Sequence, residues 1–206
     1  MPFRQLFQLW LLLMLPLPLC GQALQFEAPF TTEDIPQIPI SLHQDHAGFL
    51  WVGTTDGLYR YDGREVREFR KVPQDTFSLS NNYINTISED KAGNLWVGTN
   101  GGVVRYNALL ERFERITDSA MPQARSLDIM VDHKDHRWIS TYNGLFQYKP
   151  AEGSVRNFLP APTQKHFSLS HKTVWSSFED SKHRIWVATH LGFTVFYNDD
   201  QYQFRA

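Results

Sequence analysis

The chain has 206 residues, carries 20 Lys and Arg against 22 Asp and Glu for a net charge of −2, and is 42% hydrophobic and 14% aromatic. Aromatics at that level exclude a disordered tail, the near-neutral balance lacks the basic footprint of a nucleic-acid binder, and the lone Cys20 excludes a disulfide scaffold. A β-rich globular chain is what remains, because an excess of Phe, Tyr and Trp favours strands over helices.

Residues 1–23 read as a secretory signal peptide, with Arg4 near the start, an apolar run from Leu9 to Leu19, and Gly21-Gln22-Ala23 as a small-x-small cleavage pattern. The uncharged stretch falls short of the roughly 20 residues that a spanning helix needs. Pro18 and Leu19 stand where lipidation of Cys20 would want small residues. The expected location is therefore periplasmic or exported. With no cysteine left after cleavage, the fold must be held by its core. Residues 24–39 follow as an N-terminal strand, Leu24 to Phe30, and a Pro-spaced link.

From residue 40 onward one motif is written four times, in units of about 40–83, 84–126, 127–173 and 174–206. Asp45, Asp90, Asp132 and Asp180 each lie six residues before Trp51, Trp96, Trp138 and Trp186. Three residues after each Trp comes a Thr (Thr54, Thr99, Thr141, Thr189), and six after it a Gly (Gly57, Gly102, Gly144, Gly192). The Trp-to-Trp steps are 45, 42 and 48 residues, so length varies outside the anchored block, as loops allow.

Each unit reads as four short strands, a to d. In the second unit these are Ile84 to Glu89, Leu95 to Thr99, Val103 to Tyr106 and a less regular piece around Phe113. Strand b is apolar at nearly every position, so both of its faces are expected to be buried. Asp-x-x-Gly marks the a-to-b turn in the first two units. Asp56-Gly57, Gly101-Gly102 and Asn143-Gly144 at the b-to-c link are the pairs that a type I′ hairpin demands. The small residues Gly53, Gly98, Ser140 and Ala188 leave room for an adjacent unit's side chain. Four-stranded units of this length, packed face to face, predict an all-β chain of β-propeller blades, with a solenoid as the rival.

The stretch Ser78 to Tyr106, SLSNNYINTISEDKAGNLWVGTNGGVVRY, resembles the two-component regulator propeller repeat, and the same spacing runs through all four units. The third unit departs with Asp135-His136 in place of Gly-Asn, and the fourth with His190-Leu191 before its Gly, which predicts altered turns. The resemblance implies the periplasmic sensory propeller of a membrane-anchored receptor, with a histidine kinase or diguanylate cyclase as output and glycan fragments as ligands. Between Ala23 and Ala206 there is no kinase phosphoacceptor context, nucleotide-binding Gly motif or second hydrophobic segment. The last unit already has its own strand d, Gln201 to Arg205, so the N-terminal strand has no vacancy to fill. A partial or truncated propeller is therefore expected, completed by further blades or by self-association, with a self-contained four-bladed ring as the alternative.

His43-x-x-His46 and His133-x-x-His136 invite a metal reading, but residues i and i+3 on a strand-turn segment need not converge, and spacing fixes no third ligand. They are read as solvated turn residues, with no metal or cofactor expected. No Gly-x-Ser-x-Gly nucleophile occurs, and the acidic pairs recur at repeat positions as turn formers, so no catalytic residue is assigned. Ligand-binding residues are sought where the repeats differ. At the b-to-c turns these are Asp56, Asn100, Tyr142, Asn143 and His190, hydrogen-bonding and stacking groups suited to a glycan or small polar ligand. Asn81, Asn82, Tyr83 and Trp175 stand second, on the same rim. The leading expectation is a ligand-binding sensor propeller. A free-standing exported interaction module and a secreted propeller lyase or hydrolase are the alternatives.

Overall fold

The computed structural model describes residues 33–116, 124–161, 168–197 and 203–205. The segment expected to be a signal peptide, residues 1–23, and the strand expected at Leu24 to Phe30 lie outside them. The described residues form sixteen strands in four antiparallel sheets, each a simple meander. The first sheet comprises β1 (Pro39–Gln44), β2 (Leu50–Thr54), β3 (Gly57–Tyr61) and β4 (Val66–Phe69). The second has β5 (Ile84–Glu89), β6 (Leu95–Thr99), β7 (Gly102–Asn107) and β8 (Arg112–Arg115). The third has β9 (Ser126–Val131), β10 (Arg137–Thr141), β11 (Gly144–Lys149) and β12 (Ser154–Phe158). The fourth has β13 (Val174–Glu179), β14 (Ile185–Thr189), β15 (Gly192–Tyr197) and β16 (Gln203–Arg205).

The sheets stack as propeller blades. The first strands β1, β5, β9 and β13 pack in succession, so strand a of every blade is innermost. Packing joins blade 1 to 2, 2 to 3 and 3 to 4, and no comparable packing returns from blade 4 to blade 1 among the described residues. The blades therefore form an open arc.

The fixed Asp-to-Trp spacing is explained by one local clasp. In blade 2, Asp90 accepts the backbone N–H groups of Ala92 (3.0 Å) and Asn94 (2.8 Å) through one oxygen and the Trp96 indole N–H (2.8 Å) through the other. Asp45, Asp132 and Asp180 hold their own turns and Trp51, Trp138 and Trp186 in the same way, at 2.7–3.0 Å. The carboxylate thus satisfies the turn's backbone donors and fixes the indole in one rotamer. The a-to-b turns of blades 3 and 4, which lack the Gly, keep this geometry. Asp135 (φ 66°) and His183 (φ 59°) take the left-handed conformation that Gly48 (φ 91°) and Gly93 (φ 80°) hold in blades 1 and 2. For Asp135-His136 in blade 3 the expectation of a changed turn is corrected, because the clasp over-determines it; the other expected change, at His190-Leu191 in blade 4, is corrected too, since Thr189 closes that turn as the Thr does in every blade.

Each clasped Trp plugs the next blade. Trp51 sits among Ile84, Val97 and Tyr106 of blade 2 and Leu79 of the link into it, Trp96 meets Ile129, Ile139 and Phe146 of blade 3, and Trp138 meets Val174 and Val187 of blade 4 and Leu169 of the link into it. All three are at most 2% exposed, whereas Trp186, with no described blade beyond it, is 36% exposed. The small residues make the close approach possible. A Cβ on Gly53 would stand 2.5 Å from Ile84 Cγ2 of blade 2, and one on Gly98 would stand 2.8 Å from Ser126 Oγ of blade 3.

The b-to-c hairpins differ from the type I′ expectation. Thr54 pairs with Gly57, so the two central residues are Thr55-Asp56 and, in the later blades, Asn100-Gly101, Tyr142-Asn143 and His190-Leu191. None of these central residues has positive φ, which type I′ requires at both. The following Gly carries it instead (φ 138°, 105°, 118° and 111°) at the fourth position, where Gly suits a type I turn. The repeated Thr closes the loop: its hydroxyl donates to the carbonyl of that Gly (2.9–3.0 Å) and accepts the N–H two residues on (2.9–3.2 Å).

Candidate functional site

The rim that carries the b-to-c turns also carries the links into strand a. The Gly57 N–H donates to the Asn82 carbonyl (2.8 Å) and the Gly144 N–H to the Lys172 carbonyl (2.7 Å), each tying a turn to the link that enters the next blade. Strand a begins with a register break in every blade, between Pro39 and Ser41, Ile84 and Thr86, Ser126 and Asp128, and Val174 and Ser176. A bulge leaves its extra residue unpaired and re-aims its side chain. The bulged positions are Ile40, Asn85, Leu127 and Trp175, so the rim presents a different group from each blade.

Three of the predicted residues come together there. The amide of Asn100 accepts from Asn85 (3.0 Å), whose own oxygen accepts from the Arg125 guanidinium (3.3 Å). Arg125 stands over the rings of Tyr83 (5.5 Å) and Tyr142 (5.6 Å). Tyr142 meets Trp175 edge to face at 5.8 Å, and Trp175 lies 6.5 Å from the ring of His190, which neighbours His171 at 5.3 Å. The result is a polar and aromatic band across blades 2, 3 and 4. Tyr142 is 37% and Trp175 44% exposed, so their faces are open to a ligand. Arg125 has no carboxylate partner among the described residues, and its Nε is buried without a hydrogen bond.

The other two predicted residues fall differently. Asp56 is held by Arg70 (2.7 Å) and Asn82 (2.9 Å), and these bonds keep its carboxyl below the usual range. It locks the turn of blade 1 to the next link. Asn143 is exposed at the tip of its turn and lies outside the band. The second set on this rim, Asn81, Asn82, Tyr83 and Trp175, stops short of Arg125 and Asn85, although Arg125 is the blade 3 counterpart of Tyr83 and Asn85 the blade 2 counterpart of Trp175. The residue just before strand a reads Ile38, Tyr83, Arg125 and Thr173 in the four blades, and comparing that column would have found the cation.

The opposite rim, at the a-to-b turns, is electrostatically stitched. Arg137 of blade 3 pairs with the clasp carboxylate Asp90 of blade 2, with side chains only 3% and 1% exposed, and lies 4.9 Å over the Trp96 ring. Burial alone would raise the Asp90 pKa, but the Trp96 indole, both Asn94 groups and Arg137 together outweigh it and hold the carboxyl low. His43 and His46 of blade 1 both face Glu89 of blade 2. His133 and His136 do not converge. His136 turns to Asp132 (3.0 Å), whereas His133 Nδ1 meets Glu179 of blade 4 beside His183. A cavity of about 500 Å³ lies on the outer strands of blade 1 at the β3–β4 turn, lined by Arg60, Asp62, Glu65, Val66, Arg67 and Glu68.

Residues 78–101 and 168–190 match the family described as two component regulator propeller. A 41-residue stretch is 46% identical to Histidine kinase P4 of Formosa agariphila, covering 20% of this chain and 3% of that protein. The fold is similar to the extracellular domain of BT4673, assigned to the hybrid two component systems of B. thetaiotaomicron (TM-score 0.55, 24% identity, 85% of this chain and 29% of that one). It is also similar to virginiamycin B lyase of Staphylococcus aureus (TM-score 0.55, 15% identity, 81% of this chain and 55% of that one). The chain thus spans only a small part of the curated relative and under a third of the first of these structures. The matched segments run through the first two strands of blades 2 and 4, and those two segments are similar to two-component regulator propeller repeats; the clasp and the hairpin lock they carry recur in all four blades.

Proposed function

We propose that the chain is the sensory part, or a portion of it, of an exported two-component receptor, and that it acts by binding a polar ligand rather than by catalysis. The observation that carries this reading is the band of Asn85, Asn100, Arg125, Tyr142, Trp175 and His190, set on variable positions of an otherwise repeated frame. Exposed aromatic faces stack on the apolar faces of sugar rings, and the two amides offer donors and acceptors to hydroxyl groups. Arg125, a guanidinium without a carboxylate partner among the described residues, favours an acidic sugar, because a planar fork of donors binds carboxylate well. The turns are bonded to the next blade's link, so a ligand that bridges blades 3 and 4 would tighten their packing, and that change in packing is the signal.

The open faces bear on assembly. Blade 1 exposes Ile38, Ile40 and Leu42, and blade 4 exposes Phe178, Trp186 and Phe193. The plug-and-socket pairing of blades 1 to 4 continues most simply into a further blade of the same repeat on blade 4.

The test is calorimetric titration with uronic-acid oligosaccharides, with neutral oligosaccharides of equal length as the comparison. Saturable binding of the acidic probe, weakened at least tenfold by Trp175→Ala and by Arg125→Gln, is expected. Binding that ignores both substitutions, or turnover of the probe, refutes the reading.

A further inference from the structure

We propose that His133, Glu179 and His183 form a transition-metal site that staples blade 3 to blade 4. The residues come from two blades. His133 follows the clasp carboxylate in the β9–β10 turn, Glu179 ends β13, and His183 lies in the β13–β14 turn. Their ligand atoms all fall within 4.8 Å of one another. His183 Nδ1 is 3.1 Å from Glu179 Oε1, and His133 Nδ1 faces the same oxygen. The two imidazoles lie side by side, with centroids 3.8 Å apart and planes 30° apart, and each points its Nδ1 at the same Glu179 oxygen.

Donor chemistry and support both fit. Two imidazole nitrogens and one carboxylate oxygen suit Zn²⁺ and its neighbours Ni²⁺ and Cu²⁺, and do not suit the all-oxygen preference of Ca²⁺ or Mg²⁺. Bonds of about 2.0–2.2 Å to one tetrahedral ion put ligand atoms about 3.4 Å apart, close to the spacing of His183 and Glu179. The second oxygen of Glu179 accepts the His133 backbone N–H at 2.7 Å, an outer contact that fixes the carboxylate while its first oxygen faces the imidazoles. His183 is exposed, which leaves the fourth position to water.

The placement of His183 is the second argument. It occupies a left-handed turn position (φ 59°) that blades 1 and 2 give to Gly48 and Gly93. Gly is the residue that adopts this conformation at least cost, so the histidine sits there against the local preference, and the position puts it beside Glu179. Blade 1 has His46 at the position of His133, and blade 2 has Glu89 at the position of Glu179. Gly93 stands where His183 stands in blade 4, and His43, the other imidazole facing Glu89, does not complete a set there: among the described residues three such ligand atoms close to within 4.8 Å only between blades 3 and 4.

The experiment is Zn²⁺ titration of the purified full chain by calorimetry, with Co²⁺ absorbance reporting the ligand geometry. The wild type should bind one ion at this site, and its melting temperature should rise by about 5–10 °C at a hundredfold excess over Kd. Glu179→Gln and His183→Gly should each weaken this binding at least tenfold. His183→Gly is the decisive variant, because it restores the residue the turn prefers and so keeps the fold. His46→Ala should leave Zn²⁺ binding unchanged. No Zn²⁺ binding by the wild type, or equal affinity in His183→Gly, overturns the proposal. The site lies on the rim opposite the aromatic band, so it stands or falls independently of sugar binding.

Discussion

Trp96 and Trp186 occupy the same repeat position, hold the same indole bond to their clasp carboxylates at 2.8 Å, and each lies beneath an arginine, Arg137 at 4.9 Å and Arg184 at 5.3 Å. They differ in what covers them, with exposures of 2% and 36%. Substituting each with Ala removes one indole bond and one arginine contact, the arginine coming from the next blade at Trp96 and from the same blade at Trp186, so the difference between the two costs reports what the next blade supplies. A Trp side chain buries about 200 Å², so the extra third left open on Trp186 is about 70 Å², worth roughly 1.7 kcal/mol at 25 cal/mol per Å². Only Trp96→Ala also leaves a cavity between blades, which places its total in the range of about 3–5 kcal/mol. Trp186→Ala should therefore cost about 2 kcal/mol less. Urea unfolding followed by far-ultraviolet circular dichroism, at low protein concentration, measures both. Equal costs would show that the blade 4 face is covered in the isolated chain and would refute the open arc.

Two further outcomes test the packing. Asp128 lies on the innermost strand of blade 3, and burial raises its pKa against the opposing bonds from the Ser177 N–H (3.1 Å), the Ile129 N–H and the Thr86 side chain. A carboxyl raised in the folded state binds more protons there than when unfolded, so stability falls as pH climbs from about 4 through the raised value. Asp128→Asn should abolish that fall, and melting curves from pH 4 to 8 that keep a constant offset from wild type would contradict it. Gly53→Ala should cost about 1–3 kcal/mol through overpacking, because the new Cβ would stand 2.3 Å from Ser41 Oγ and 2.5 Å from Ile84 Cγ2. Thermal unfolding unaffected by that methyl would show that the blade spacing is softer than the structure states.

The blades were legible in the sequence because their strongest constraints are local. The Asp clasp spans six residues and the Thr lock three, so both leave a fixed spacing that repetition exposes. The hairpin type was misread because Asp56-Gly57 looks like the two central residues of a turn. The Thr hydroxyl shifts the turn by one, and Gly57 ends up opposite Thr54. Contacts between blades were hidden for the opposite reason. Arg137 fills the strand position that Leu50, Leu95 and Ile185 hold elsewhere, and nothing in spacing says that it reaches Asp90 47 residues earlier. At the rim, Asn100, Tyr142 and His190 were found because the turns vary there. Asp56 varies too, yet its charge is spent on Arg70, a partner that only the folded blade reveals.

The Asp–Trp clasp has a consequence for how such an array is built and lost. Each blade sets its own turn and aims its own plug with bonds that never leave the blade, while the socket is always the next neighbour. Stability is then close to a sum of blade terms and nearest-neighbour terms, as in a one-dimensional chain of coupled units. A damaged interface weakens two blades without disturbing the register of the others, and unfolding proceeds most easily from an end whose plug has no socket. In such an architecture blade number can change by whole units, because no single blade encodes the size of the ring.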